Sequence, residues 1–245
     1  MRILAVNGSP RKAESHTEIL LRPMLDAARA GGAKVEYVYL DDLDVRPCTG
    51  CFSCWTRTPG RCILRDGGAA MLERLAAADV FVLGFPLHIL GVPARVQAFL
   101  ERLLPTAQPW LGRNGDAEGR HPLQAGAGTV RWLVLSNCGF ADESSFDALR
   151  FKFRRLGVEP VCLAAGGFLD TLSGTPMLAE PWEALRGSLG QAGRELAQSG
   201  RISQETRALL ERPIIEWAGL TAQQFEEAVG EYFRNDPDAS PDGPG

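Results

Sequence analysis

Short apolar runs alternate along this chain with segments whose apolar residues recur every three to four positions. That alternation predicts strands and helices in turn, and so an α/β fold with a mostly parallel sheet. Ile3 to Val6 is a first strand; after a Gly/Ser/Pro turn, Leu20, Leu21, Met24, Leu25 and Ala28 mark one helical face that Gly31-Gly32 stops. Pro23 falls inside that helix, where it removes a hydrogen bond, so a kink or a later start is expected. Val35 to Leu40 is a second strand, 47–66 a loop by its Gly, Pro and Thr content, and Ala69 to Ala78 a helix. Val80 to Leu83 has the continuous apolar character of a strand buried on both faces, and Pro93 suits the first turn of a helix carrying Val96, Phe99, Leu100, Leu103 and Leu104. Val130 to Leu135 is a fourth strand, Glu143 to Leu156 a helix and Pro160 to Ala164 a fifth strand.

From Glu180 the pattern is helical throughout, over Trp182 to Gln198, Gln204 to Leu210 and Thr221 to Phe233. This divides the chain into a sheet domain over 1–178, a helical extension over 179–234 and a tail over 235–245. Three prolines, two glycines and three aspartates make the tail read as disordered. Residues 105–128, rich in Gly, Pro and Arg, form a 24-residue loop that reads as an active-site flap.

Composition narrows the function classes. With 245 residues and 45% hydrophobic content the chain can bury a sizeable core. A net charge of -4 without a Lys/Arg-rich run argues against nucleic acid as a partner. The longest nearly unbroken apolar stretch, Val80 to Leu90, holds Gly84, Pro86 and His88 and falls short of the roughly 20 residues of a membrane span. The N-terminus has too few apolar residues for a secretory core, which places the protein in the cytoplasm.

Two segments carry candidate chemistry. The first strand runs through Asn7-Gly8 into Ser9, Arg11, Ser15, His16 and Thr17 at a helix N-terminus. Backbone N–H groups, hydroxyls and a guanidinium converge there, as an anion such as a phosphate monoester needs. The plainer reading makes Ser15 or Thr17 a helix cap and leaves Arg11 in solvent. Neither a dinucleotide fingerprint nor a triphosphatase loop is present. The second segment is Cys48, Cys51, Cys54 and Cys62, four of six cysteines within fifteen residues. In a reducing compartment such a cluster reads as a metal or redox site. An iron–sulfur cluster, a tetrahedral zinc, a redox dithiol and a metal-free loop packing Phe52 and Trp55 all remain open.

The run Gly8-Ser9-Pro10-Arg11 with Ser15 and Thr17 resembles the phosphate loop of the flavodoxin-like NAD(P)H-dependent FMN reductase family. Gly84 to Ala94, with Pro86, Leu87, His88, Ile89 and Leu90, is similar to that family's loop against the isoalloxazine edge. His88 stands where relatives often carry an aromatic residue. Ser136-Asn137-Cys138-Gly139-Phe140 matches its other flavin loop. The resemblance covers roughly 1–170. It implies a flavodoxin-like, doubly wound five-stranded parallel sheet in the order 2-1-3-4-5, to which the helical pattern from Glu180 adds a C-terminal helical appendage, and a ligand at the carboxyl ends of the strands. It further implies FMN as cofactor, NAD(P)H as electron donor, a small-molecule or redox-protein acceptor and a homodimer or homotetramer. No catalytic side chain is then required, because the flavin carries the redox chemistry. The cysteine spacing resembles that of the family's iron–sulfur flavoprotein branch, although the interval before Cys62 is longer. That resemblance implies a [4Fe–4S] cluster on the four cysteines and an electron-carrier role; a thiol- or metal-based sensor without flavin turnover is the remaining alternative. The acceptor, and NADH against NADPH, are not legible in the loops.

Overall fold

A computed structural model of the chain describes residues 1–112, 121–124, 129–164, 169 and 179–235, and the statements that follow concern these residues. The flap interior at 113–120 and 125–128 and the tail at 236–245 lie outside them.

Five parallel strands make one sheet in the order β2-β1-β3-β4-β5: β1 Arg2–Asn7, β2 Lys34–Tyr39, β3 Val80–Pro86, β4 Arg131–Asn137 and β5 Val161–Leu163. The expected order is observed, with the reversal between β1 and β3 that opens a crevice at their carboxyl ends. β3 is buried along six of its seven residues, as its unbroken apolar run requires of a central strand.

Helices cover both faces. α1 (His16–Ala30) lies on one face, where Leu20, Leu21, Met24, Leu25 and Ala28 meet Ile3, Ala5, Val80 and Val82. On the other face, α3 (Gly67–Ala76), α4 (Ala94–Glu101) and α5 (Asp147–Arg155) bury Met71, Leu75, Val96, Phe99, Leu149 and Phe153 against Leu4, Val6, Phe81 and Leu83. A four-residue helix, α2 (Ser53–Thr56), interrupts the cysteine loop, where sequence showed only loop.

The C-terminal extension opens with α6 (Ala179–Ser199), whose Leu185, Leu189, Ala192 and Leu196 join the core on the α1 face. The two helices touch at Gly193, where a Cβ would stand 2.0 Å from the Met24 carbonyl oxygen. α7 (Gln204–Glu211), α8 (Ile214–Trp217) and α9 (Ala222–Asn235) follow, so Asn235, expected in the tail, ends a helix instead. α1 begins at His16 and continues through Pro23, so no later start occurs. No helix among the described residues is long and apolar enough to cross a membrane.

Candidate functional site

The loop after β1 is built around Asn7. Its buried Oδ1 accepts from Ser9 N–H (2.9 Å), and Nδ2 donates to Tyr37 OH (3.2 Å) and Glu18 Oε2 (3.3 Å), with longer contacts to Lys12 O and Ser15 Oγ. Glu18 in turn accepts from Tyr37 OH and Arg22. Burial, then the Glu18 carboxylate, pushes the Tyr37 phenol above its ordinary range, so it stays a donor. Sequence reasoning passed over Asn7, Glu18 and Tyr37; the signal available was an Asn closing an apolar strand directly before Gly-Ser.

Ser15 is the N-cap of α1: its Oγ accepts from Glu18 N–H (3.1 Å) and donates to Lys12 O (2.6 Å). The capping alternative is therefore realised, and this hydroxyl is occupied. Ser9 is buried, His16 and Thr17 sit in the first turn of α1, and Arg11 is exposed without a side-chain partner among the described residues. A helix N-terminus with a free guanidinium beside it is a fitting anion site. Gly8 proves necessary for packing rather than for a special turn: a Cβ there would lie 2.3 Å from Val96 Cγ2.

Asn137, the last residue of β4, ties the first turn of α1 to the chain leaving β3. Its side-chain Oδ1 accepts from Thr17 Oγ1 (3.1 Å), and its carbonyl accepts from Leu87 N–H (2.7 Å). Cys138 is buried and its N–H donates to Leu163 O (3.2 Å); Gly139 is half-buried and Phe140 stands exposed. After Pro86 and Leu87 the chain reverses in a tight turn closed by paired His88 and Gly91 backbone bonds (3.0 and 2.9 Å). The two central residues, Ile89 and Leu90, both have left-handed backbone, φ 47° and 58°. Such a turn favours Asn-Gly, and a β-branched residue there is strained. Ile89 is fully exposed and Leu90 half-exposed, and the His88 ring is also in solvent. The structure thus brings the loops at 9–17, 86–90 and 137–140 to one edge of the sheet.

The cysteine loop forms a shallow pocket. Cys48, Cys51, Cys54 and Cys62 all line it, with Phe52, Leu104, Glu101 and Arg102 beside them. The thiols surround a space rather than a point: among the described residues no three His, Cys, Asp or Glu groups are placed to hold a single ion. All four thiols are free. Hydroxyl and backbone groups of Ser53 pull the exposed Cys51 thiol down to about 7, while burial pushes Cys54 up. Gly50 and Phe52, at φ 65° and 50°, turn the chain between the ligand candidates.

Both ends of this loop are held by one buried guanidinium. Arg102, at the C-terminus of α4 and with no exposed side-chain surface, donates from Nη1 to Arg46 O (2.9 Å) and to Asp66 Oδ2 (2.7 Å), and from Nη2 to Asp66 Oδ1 (2.8 Å). Asp66 also caps α3 through Ala69 N–H, and hydrogen bonds from Arg102 hold its carboxyl well below the ordinary range. Arg102 Nε is buried with no hydrogen-bond partner among the described residues. Neither residue was singled out by sequence, because a single Arg at a helix end reads as solvated. The described ends of the flap dock on the same loop: Trp55 Nε1 donates to Ala107 O (2.8 Å), and its ring lies 5.2 Å from that of His121.

The profile of the NADPH-dependent FMN reductase family matches residues 1–124 of 245. The chain belongs to that family. Among curated proteins it is 32% identical over 105 residues to an iron–sulfur flavoprotein of Methanocaldococcus jannaschii, a match covering 43% of this chain and 53% of that one. It is 31% identical over 102 residues to one of Archaeoglobus fulgidus, covering 42% and 48%. The chain thus spans about half the length of the curated relatives it matches. Among solved structures, an FMN-dependent NADH-azoreductase of Bacillus anthracis in complex with FMN superposes at TM-score 0.57 and 17% identity, over 80% of this chain and all of that one. An NAD(P)H:quinone oxidoreductase of Methanothermobacter marburgensis gives 0.58 at 15%, over 80% and 96%. At that identity the likeness shows the flavodoxin-like fold, in agreement with the FMN reductase profile.

Proposed function

We propose that the protein is an FMN-dependent oxidoreductase that takes electrons from NAD(P)H and passes them to a small-molecule or protein acceptor. The observation that carries this reading is Asn137 at the end of β4, bonded to Thr17 in the first turn of α1 and to Leu87 after β3, beside a helix N-terminus whose Arg11 has no side-chain partner among the described residues. Arg11, Ser9 and the first-turn N–H groups of His16 and Thr17 would hold the flavin phosphate. Pro86 to Leu90 and Asn137 to Phe140 would border the ring system, with exposed Ile89, Leu90 and Phe140 excluding water from it. FMN, when bound, supplies the two-electron acceptance and the one- or two-electron release; the chain supplies position and field. Titration of the apo-protein with FMN at micromolar concentration, followed by flavin fluorescence, tests it: binding is expected, and no binding overturns it.

A second reading is favoured by a specific observation, the pocket lined by all four cysteines and a buried cation. An all-thiol donor set of this kind suits a [4Fe–4S] cluster, which would supply one-electron transfer, and the matched relatives are named iron–sulfur flavoproteins. In this reading the chain relays electrons between FMN and the cluster. Anaerobic purification followed by iron and sulfide assay should give about four of each per chain, lost in Cys51→Ser. Absence of iron after anaerobic reconstitution overturns it. The exposed Phe52, Trp110 and Leu123, together with Ile89 and Phe140, support a homodimer or homotetramer, testable by light scattering. Six cysteines outside any disulfide support a cytoplasmic setting.

A further inference from the structure

A guanidinium carries five N–H donors, and burying one of them without an acceptor costs free energy. Arg102 is buried whole, spends Nη1 and Nη2 on Arg46 O and Asp66, and leaves Nε–H without an acceptor at hydrogen-bond distance among the described residues. The same side chain lines the pocket shared by the four cysteines, and Cys62 is one of the groups acting on its charge. Fixing the guanidinium plane through Asp66 fixes where Nε–H points, so the donor is pre-oriented and not free to seek another partner. Asp66 is also paired with the half-exposed Arg46, and Glu101 lines the same pocket, so it is the buried donor of Arg102 and not a surplus of charge that sets this wall apart.

We propose that Arg102 is the potential-setting residue of the cysteine site, its Nε–H donating an N–H···S hydrogen bond to a sulfur of the bound cluster at the Cys62 side. This rests on the iron–sulfur reading above. Reduction adds negative charge to the cluster sulfurs, so a donor held there stabilises the reduced form more than the oxidised one. Arg102 is a positioning residue: it ligates nothing, and it acts on the equilibrium between the two forms.

The test uses the full chain, reconstituted anaerobically with iron and sulfide, in wild type and Arg102→Lys. Lysine keeps a cation for Asp66 but has no N–H at the Nε position. In an EPR-monitored redox titration, the reduced-to-oxidised ratio at a fixed ambient potential should fall on the order of tenfold in the variant, about 59 mV for one electron. Separately, in wild type with 15N confined to arginine side chains, the reduced cluster should show hyperfine coupling to an arginine nitrogen. An iron-replete variant with an unchanged ratio, or wild type without that coupling, overturns the proposal. If the variant takes up no iron, the hyperfine measurement decides alone. Wild type that binds no iron overturns the cluster reading, and this inference with it.

Discussion

The turn at His88 to Gly91 holds strain that can be removed. Ile89 and Leu90 both occupy left-handed backbone, at about 1–2 kcal/mol for each L-residue, or about 2–4 kcal/mol together. Ile89→Asn with Leu90→Gly installs the pair such a turn favours. Two terms oppose the gain. Glycine adds about 0.5–1 kcal/mol of chain entropy, and the buried half of Leu90 is worth about 1 kcal/mol. Ile89 is fully exposed and loses nothing. The net expectation is about 0–2.5 kcal/mol of added stability, centred near about 1 kcal/mol. For a chain of this size the centre of that range raises the Tm of the FMN-free protein by about 2–4 °C. Removing two apolar side chains from the flavin border should at the same time weaken FMN binding at least tenfold, since burying an Ile or Leu stabilises by about 1.5–3 kcal/mol. Thermal unfolding by circular dichroism and FMN titration measure the two arms. A lower Tm refutes the strain argument; a higher Tm with unchanged FMN affinity refutes the placement of this turn against the flavin.

Four further outcomes are expected. Arg11→Gln should weaken FMN binding about 10- to 150-fold, the worth of a charge-assisted bond, while leaving the Tm of the apo-protein unmoved because Arg11 is exposed. Asp66→Ala leaves the Arg102 guanidinium buried and unpaired, and urea unfolding should show a loss of about 3–5 kcal/mol, less in Asp66→Asn, which keeps the cap. Because Arg102 depresses the Asp66 pKa, its contribution is complete above the ordinary carboxylate pKa and is lost as pH falls from there toward the depressed folded value. Urea melts between pH 6 and 3 should therefore decline less steeply in Asp66→Asn than in wild type. In metal-free protein, iodoacetamide should alkylate Cys51 with a rate that rises through about pH 7, while Cys162, whose thiol burial pushes up to about 12, stays unmodified; peptide mapping reads both.

Much of the fold was legible because its signals are local. The apolar run at Val80 to Leu83 fits one environment, and the three loops follow strands in an order that only one sheet topology brings together. Where polar residues continue a strand, the boundary was lost: β4 runs two residues past Leu135 through Ser136 to Asn137, which places the hub of the site inside the sheet. Asn7 looked like the start of a turn, although its side chain ties the turn to β2 through Tyr37. The Arg102–Asp66 pair lies beyond any local pattern, since its partners are 36 residues apart and its burial comes from packing between α3, α4 and the cysteine loop. A helix of four residues, such as α2, is too short for periodicity to show.

The seam between α1 and α6 bears on how the chain is made. α1 is complete once residue 30 has been synthesised, yet the helix that packs along its other side arrives some 150 residues later and admits no side chain at Gly193. Until then the side of α1 that meets α6 around Met24 and Ala27 lies open to water, a ready surface for aggregation. Folding on the ribosome is thus tied to the late segment. The wide separation of these partners raises the contact order and slows the final docking.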